Sequence, residues 1–264
     1  MSNYNYYHEI AVKAAKEAGL YLLDQFSKNH SPTLKSRSDV GLPADTESEK
    51  IILKNIQSEF PSHNIYSEEI GLVENESNFT WYVDPLDGTN NYYVGIPYFA
   101  VSIALVENNE TILGVVFNPV TKQLFTARKG GGAFLNGEKI LMKDRLKSEY
   151  KVLSFIKGHS QNLNMDIDLL AQNIELSLIN KFSRILKMWA PALDWCLLAL
   201  GKVDALVSFY SEKEDMIAGL LIAEESGIEI LNFGGTPHKP GNNRIVASNK
   251  GIINKLIKSL KPFS

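Results

Sequence analysis

The residues best placed to do chemistry are two aspartates three positions apart, in Trp81-Tyr82-Val83-Asp84-Pro85-Leu86-Asp87-Gly88-Thr89. An apolar run ends in an acid, a proline, a second acid, then glycine and threonine. This order reads as a strand leaving a sheet, turning sharply and entering a helix. Both carboxylates are left at the sheet end, where they can share hard cations, and the Gly88 and Thr89 amides at the helix start suit a phosphate. The same residue types also make an ordinary capped β-turn, so this run alone leaves both readings open.

Other acids fall at element ends. Glu68 and Glu69 terminate a short strand just before Gly71, Asp45 sits at a predicted helix N-cap in Pro43-Ala44-Asp45-Thr46, and Asp215 opens a helix. Singly, each has a bland role: Asp45 and Asp215 as helix caps, Glu68 and Glu69 as solvated loop acids. Together with the aspartate pair they suggest metal-assisted hydrolysis of a phosphate ester. Mg²⁺ prefers carboxylate, carbonyl and water oxygens. Two ions about 3.5–4 Å apart can stabilise both the attacking and the leaving oxygen, which needs a bridging carboxylate. Asp84 and Asp87 supply that nucleus, and a hydroxyl beside an acid can orient the water. His8, His30, His63, His159 and His238 show no ligand spacing. Cys196, the single cysteine, lies in the apolar helical stretch Leu193-Asp194-Trp195-Cys196-Leu197-Leu198 and reads as a buried thiol with no disulfide partner.

The elements that must position these acids follow from periodicity. Ile10, Ala14, Ala18 and Leu22 predict a helix from about Tyr6 to Ser27. The polar segment from Lys28 to Leu42 reads as a mobile loop carrying Lys35. A second helix runs from Asp45 to Phe60, stopped by Pro61, and a short strand covers Asn64 to Ser67. After the Asp84 turn comes a β-meander: Ala100–Val106, Thr111–Phe117 and Gln123–Arg128. The glycines of Gly130-Gly131-Gly132 and the Asn136-Gly137 pair mark turns; without a following Lys-Ser/Thr, the former is no phosphate loop. From Tyr150 strands and helices alternate: strand Val152–Ile156, helix Met165–Leu178, helix Pro191–Gly201, strand Ala205–Phe209, helix Asp215–Ser226, strand Arg244–Ser248 and helix Gly251–Leu260. An antiparallel α+β half, residues 1–148, thus precedes a more α/β half, residues 149–264, the two packed tightly for want of a linker.

Composition bounds the class. With 264 residues, 44% hydrophobic and 22% charged, the chain can bury a sizeable core. A net charge of −3 gives no general drive toward nucleic acid. The N-terminus lacks an apolar h-region and no apolar run approaches about 18 residues, so the expectation is a cytoplasmic protein with no signal peptide and no membrane span. The sequons Asn75-Glu76-Ser77 and Asn78-Phe79-Thr80 are then chance matches.

The run Trp81 to Asn90 resembles the first signature of the inositol monophosphatase family. The similarity continues through Pro97-Tyr98-Phe99-Ala100-Val101-Ser102-Ile103-Ala104 and through Thr126 to Gly137. It returns in Asp215-Met216-Ile217-Ala218-Gly219-Leu220 and on to Gly227, the second signature. Ala44-Asp45-Thr46 and Ser67-Glu68-Glu69 fall at compatible spacings, so the resemblance spans nearly the whole chain. It implies the layered αβαβα sandwich shared with fructose-1,6-bisphosphatase. It implies two to three Mg²⁺ ions: one on Glu68, Asp84 and the Leu86 carbonyl, one on Asp84, Asp87 and Asp215, and a weaker third near Glu68. Thr89 and Asp45 would position and deprotonate the attacking water, with Glu68 beside them in the catalytic set. Gly88 and Thr89 would bind phosphate, and Lys35 would lie over the site when its loop closes. The reaction would be in-line hydrolysis of a small phosphate monoester without a phosphoenzyme, inhibited by Li⁺, in a homodimer.

The chain departs from the family pattern at the substrate-facing wall. The second signature usually begins Trp-Asp; here it is Glu214-Asp215. A stretch often written Gly-Ser-Ala-Ala-Leu-Asp becomes Trp189-Ala190-Pro191-Ala192-Leu193-Asp194. The glutamate that inositol-specific members carry seven residues before the second-signature aspartate is Ser208. Trp189 either narrows the pocket, stacks on a ring, or only repacks a helix start. Inositol monophosphate leads as substrate; fructose 1,6-bisphosphate, histidinol phosphate (through Glu212 and Glu214) and 3′-phosphoadenosine 5′-phosphate (through Trp189) are alternatives. A non-catalytic regulatory protein on the same scaffold is the further one.

Overall fold

Helix α1 (Ser2–Gln25) lays Ala11, Ala14, Ala15, Ala18 and Leu22 inward, all fully buried. Small residues let it sit close to the sheet: a Cβ on Gly19 would meet the Phe117 ring at 2.6 Å. The computed structural model describes residues 2–28, 32–36, 39–141, 149–158 and 166–264. After α1, β1 (Thr33–Ser36) and β2 (Asp39–Gly41) form an antiparallel hairpin, followed by α2 (Pro43–Glu59), β3 (Asn64–Ser67), β4 (Gly71–Val73), β5 (Phe79–Asp87) and the short α3 (Thr89–Val94). The meander is β6 (Ala100–Glu107), β7 (Glu110–Asn118), β8 (Gln123–Arg128), β9 (Gly132–Leu135) and β10 (Glu138–Lys139). Then come β11 (Val152–Lys157), α4 (Ile167–Leu178), β12 (Arg184–Leu186), α5 (Pro191–Ala199), β13 (Ala205–Phe209), α6 (Lys213–Glu225), β14 (Glu229–Asn232), β15 (Arg244–Ser248) and α7 (Lys250–Leu260).

An eight-stranded sheet has the order β10-β9-β8-β7-β6-β5-β3-β4, and a five-stranded sheet the order β12-β11-β13-β15-β14. Strand alternation sends residues to opposite faces. In β6, Val101, Ile103 and Leu105 join Ile52, Ile56 and Trp81 beneath α1 and α2. Ala100, Ala104 and Val106 of the same strand face Cys196 of α5 and Ala218 and Ile222 of α6. The other sides of α5 and α6, through Trp195, Leu198 and Met216, meet Leu206 and Ile245 of the second sheet. That sheet's outer face, Leu153, Phe155, Val207 and Val246, is covered by α4 and α7. Helices, sheet, helices, sheet and helices thus stack as an αβαβα sandwich. Each sheet is buried on both faces, which is why its strands read as near-continuous apolar runs.

The middle layer matters most for the site, because α6 carries Asp215. A Cβ on Gly114 of β7 would come within 2.7 Å of the Ala218 carbonyl, and one on Gly219 within 2.7 Å of Trp195 Cβ. These absent side chains let α6 approach both the sheet and α5. Gly114→Val would force them apart at a cost of about 1–3 kcal/mol and shift Asp215 with the helix.

The structure corrects several expectations. The 28–42 segment contains the β1–β2 hairpin rather than a continuous loop, and α1 begins before Tyr6. Asp45 is not the N-cap of α2: Pro43, pre-set for a helix start, makes Leu42 the cap. Asp45 is the third helical residue and accepts a hydrogen bond from the Leu42 amide at 2.6 Å. Likewise Glu212 caps α6, and Asp215 is its third residue. The strand does not end at Asp84 but continues to Asp87. Part of the 28–42 segment, and Met165, expected to open α4, lie outside the described residues.

Candidate active site

The aspartate corner is built by a bulge. Asp84 pairs with Ser102 and Asp87 with Ala100 across β5 and β6, so one extra residue is accommodated between them. Pro85, which has no amide to donate, suits that interruption. The Leu86 amide turns back to Asp84 Oδ1 at 3.0 Å. Gly88 then takes a φ of 90°, and a Cβ there would stand 3.0 Å from the Tyr98 carbonyl, so glycine is required on two counts. Thr89 Oγ1 donates to the Leu86 carbonyl at 2.9 Å.

Neighbouring elements bring the other acids. The Glu68 amide donates to the Val83 carbonyl at 3.3 Å, which sets Glu68 beside the end of β5. Buried Glu49 of α2 holds the same turn, accepting from the Ser67 hydroxyl and from the amides of Glu69 and Ile70 at 3.2 and 3.3 Å. Ser48 Oγ fastens α2 to the Pro85 carbonyl at 2.7 Å. Glu68, Asp84, Leu86, Asp87, Gly88, Thr89 and Asp215 line one cavity of about 800 Å³. Asp45 is buried at the start of α2 and is not among the lining residues. Lys35 belongs to β1 by its backbone, and its side chain lies outside the described residues.

The electrostatics register the shared cavity. Burial raises Asp84 well above the usual carboxylate range, and Glu68, Asp87 and Asp215 push it further. Asp87 is raised by burial and by Asp194 and Glu68, partly offset by the Ala192 and Leu193 amides. Asp215 is raised by burial, then by Glu68, Glu214, Asp87 and Glu212. Glu214, in place of an aromatic ring, lines the same cavity, and its burial carries it to about 7. Crowded, buried like charges of this kind are relieved by cations.

The donor set suits a hard cation. Its donors are hard carboxylate and carbonyl oxygens, without thiolate or imidazole. Asp87 Oδ1 is buried with no hydrogen-bond partner among the described residues, while its Oδ2 accepts from the Leu193 amide at 3.3 Å. Such an orphaned acceptor suits a cation. The carboxylates face the cavity as separate groups: among the described residues, no three Asp, Glu, His or Cys side chains already converge as a ligand set. Cys196 is buried with its thiol pushed up, and His63 accepts from Trp81 Nε1 at 3.1 Å between Phe60 and Phe79, so neither offers chemistry here.

The substrate-facing residues separate. Trp189 and Ala190 line the cavity, whereas Ser208 is buried on β13, bonded to Ser211 Oγ at 2.8 Å, and only Ser211 reaches the lining. Trp189 is 58% exposed with a φ of 54°. A left-handed conformation costs a residue with a Cβ roughly 1–2 kcal/mol, so a glycine at this position is the unstrained choice. The sequence reading missed the far wall, where Phe155, Lys157, Asp168, Gln172, Glu175 and Lys187 complete the cavity. Its one local signal was the spacing of Asp168, Gln172 and Glu175 on one helical face.

A five-layer αβαβα sandwich whose strand- and helix-end acids line one cavity marks a class, the phosphatases built on this scaffold. Comparison with known proteins makes the class particular. The model of the inositol monophosphatase family matches residues 3–262. The chain is 32% identical over 256 residues to the Nus factor SuhB of Pasteurella multocida, covering 96% of this chain and 95% of that protein. It is 32% identical to the fructose-1,6-bisphosphatase/inositol-1-monophosphatase of Aquifex aeolicus, covering 100% of this chain and 98% of the other. The crystal structure of the extragenic suppressor protein suhB of Bartonella henselae superposes with a TM-score of 0.88 at 30% identity, over 96% of this chain and 98% of that one. The chain belongs to the inositol monophosphatase family. Among the described residues, no helix is long and apolar enough to cross a membrane.

Proposed function

We propose that this chain hydrolyses a small polyol or sugar phosphate monoester with Mg²⁺, inositol monophosphate first among the candidates. One observation carries the reading: Glu68, Asp84, Asp87 and Asp215, distant in sequence, line a single cavity. Residues 1–148 supply most of the ligands, and 149–264 supply Asp215 and the substrate wall.

Glu68, Asp84 and the Leu86 carbonyl would hold one ion, and Asp84, Asp87 and Asp215 a second, with a weaker third near Glu68. Bound Mg²⁺ supplies positive charge that offsets the phosphate and acidifies a water. Thr89 Oγ1, which lines the cavity, would position the attacking water; the Asp45 carboxylate, buried outside the lining, would receive its proton only through Thr89. The Gly88 and Thr89 amides would hold the phosphate oxygens, and Lys35 would be the cation that the 28–42 segment brings to the bound ester. A water oxygen bonds to phosphorus in line as the ester P–O bond breaks, and the alcohol leaves with a proton. A homodimer and inhibition by Li⁺ belong to the same reading.

The test is phosphate release from inositol, fructose, histidinol and adenosine phosphates, with and without Mg²⁺. Mg²⁺-dependent release is expected; none from any ester refutes the reading. A non-catalytic regulatory role is the second reading, favoured by the Nus factor name of the Pasteurella relative. The same screen separates the two, since a regulator needs no turnover.

A further inference from the structure

The far wall of the cavity is charged but balanced. Helix α4 turns Asp168, Gln172 and Glu175 toward it, and the ends of β11 and β12 bring Lys157 and Lys187 to meet them. Lys157 pairs with Asp168; Lys187 Nζ stands 2.5 Å from Glu175 Oε2 and 5.8 Å from the centre of the Phe155 ring. Each ammonium keeps further donors, and Glu175 further acceptor sites, beyond these pairs. Hydroxyl or amide groups can use them while both pairs stay intact. A second phosphate could also accept from the spare lysine donors, but beside Asp168 and Glu175 it would meet like charge that offsets the gain.

Trp189 lines the same cavity. Its strained backbone is pinned rather than relaxed: Asn91 Nδ2 holds the preceding Met188 carbonyl at 2.7 Å, and a Cβ on Gly88 would lie 3.3 Å from the Trp189 carbonyl. Strain at a bulky residue clusters at ligand clamps. The exposed indole gains little from the core, so packing does not account for it.

Building on the phosphomonoesterase reading, we propose that Trp189 is a stacking platform for the leaving group and that the α4 wall binds that group's neutral polar atoms. The preferred substrate then has a ring, is rich in hydroxyl or amide groups, and carries no second phosphate.

Matched esters test this: fructose 1-phosphate against fructose 1,6-bisphosphate, and adenosine 3′-phosphate against adenosine 3′,5′-bisphosphate. Inositol 1-phosphate and ringless glycerol 2-phosphate serve as references. The second phosphate is expected to give no gain in kcat/KM. Trp189→Gly and Trp189→Ala are expected to lower the preference for inositol 1-phosphate over glycerol 2-phosphate about tenfold, while Trp189→Gly raises the melting temperature. Intrinsic fluorescence gives a binding readout, because Trp81 and Trp195 are fully buried and a ring over Trp189 should alter emission in the wild type alone. A tenfold gain from the second phosphate, or Trp189 variants that weaken all esters equally with or without a change in oligomeric state, would overturn the proposal. Turnover of glycerol 2-phosphate with no ring preference overturns it and leaves the phosphomonoesterase reading standing. A ring-dependent emission change without any turnover keeps the platform and removes that reading. Neither turnover nor emission change removes both.

Discussion

Asn91 suspends the residue before Trp189 from the aspartate corner: its Nδ2 donates to the Met188 carbonyl at 2.7 Å and also to the Tyr98 carbonyl at 2.8 Å. The side chain is buried, so both carbonyls depend on it. Asn91→Ala should cost about 1–3 kcal/mol, two hydrogen bonds at their usual net worth. Asn91→Asp should cost more, because it turns a carboxylate toward two carbonyl oxygens. Urea denaturation of the two variants checks the order; an aspartate variant as stable as wild type would refute the tether.

Asp87→Asn separates charge from packing. The substitution is isosteric, and the wild-type carboxylate sits among buried acids that raise its pKa. Without metal, the variant should therefore melt at or above the wild-type temperature. Mg²⁺ at about a hundredfold excess over its dissociation constant should stabilise the wild type by about 2.7 kcal/mol, and most of that gain should vanish in the variant together with turnover. Calorimetry with and without Mg²⁺, beside a phosphate-release assay, decides it. A variant that keeps both the Mg²⁺ shift and the activity would remove Asp87 from the ligand set.

What was legible in the sequence depended on burial. Gln123–Arg128, Ala205–Phe209 and Arg244–Ser248 are readable to the residue, because they are central strands whose apolar runs stop at turn residues. Short strands at sheet edges were not: β4, β12 and β14 have three or four residues each and none that is fully buried. Asp45 and Asp215 were misplaced by a turn's fraction because acids favour both the N-cap and the first helical turn. At Asp45 the preceding Pro43 was the discriminating signal. The corner was legible because acid, proline and glycine each have a backbone reason there. The far wall was not, since Lys157 and Asp168, or Lys187 and Glu175, meet only through the packing of α4 on the second sheet.

Glu49 is predicted to act on the metal site without touching it. It holds the turn that carries Glu68 through one hydroxyl and two amides. Glu49→Gln keeps an acceptor oxygen but loses the charge that strengthens all three bonds. The expected result is about a tenfold rise in the Mg²⁺ concentration for half-maximal activity, the usual scale for groups that orient a metal ligand, with kcat at saturating Mg²⁺ changed far less. A Mg²⁺ titration of initial rates reads the split. A fall in kcat at unchanged Mg²⁺ requirement would count against this role.

Asp194 should leave a signature in the pH dependence of stability. It accepts from Tyr98 OH at 2.9 Å and Ser154 Oγ at 2.7 Å, yet burial outweighs both and raises its pKa to about 6. Folding therefore favours its protonated form. Its contribution is fully present below the unfolded-state value of about 3.9 and is lost as pH rises through about 6. Asp194→Asn fixes the neutral form at every pH. In EDTA, the melting temperature of the variant minus that of the wild type should grow more positive between about pH 4 and about pH 6 and level off above about pH 7. Acids remote from Asp194 are common to both proteins and cancel to first order in that difference; Asp87, whose pKa Asp194 raises, does not. A difference that is flat or falls across the range would mean that the two hydroxyls hold Asp194 ionised, and that burial does not govern it.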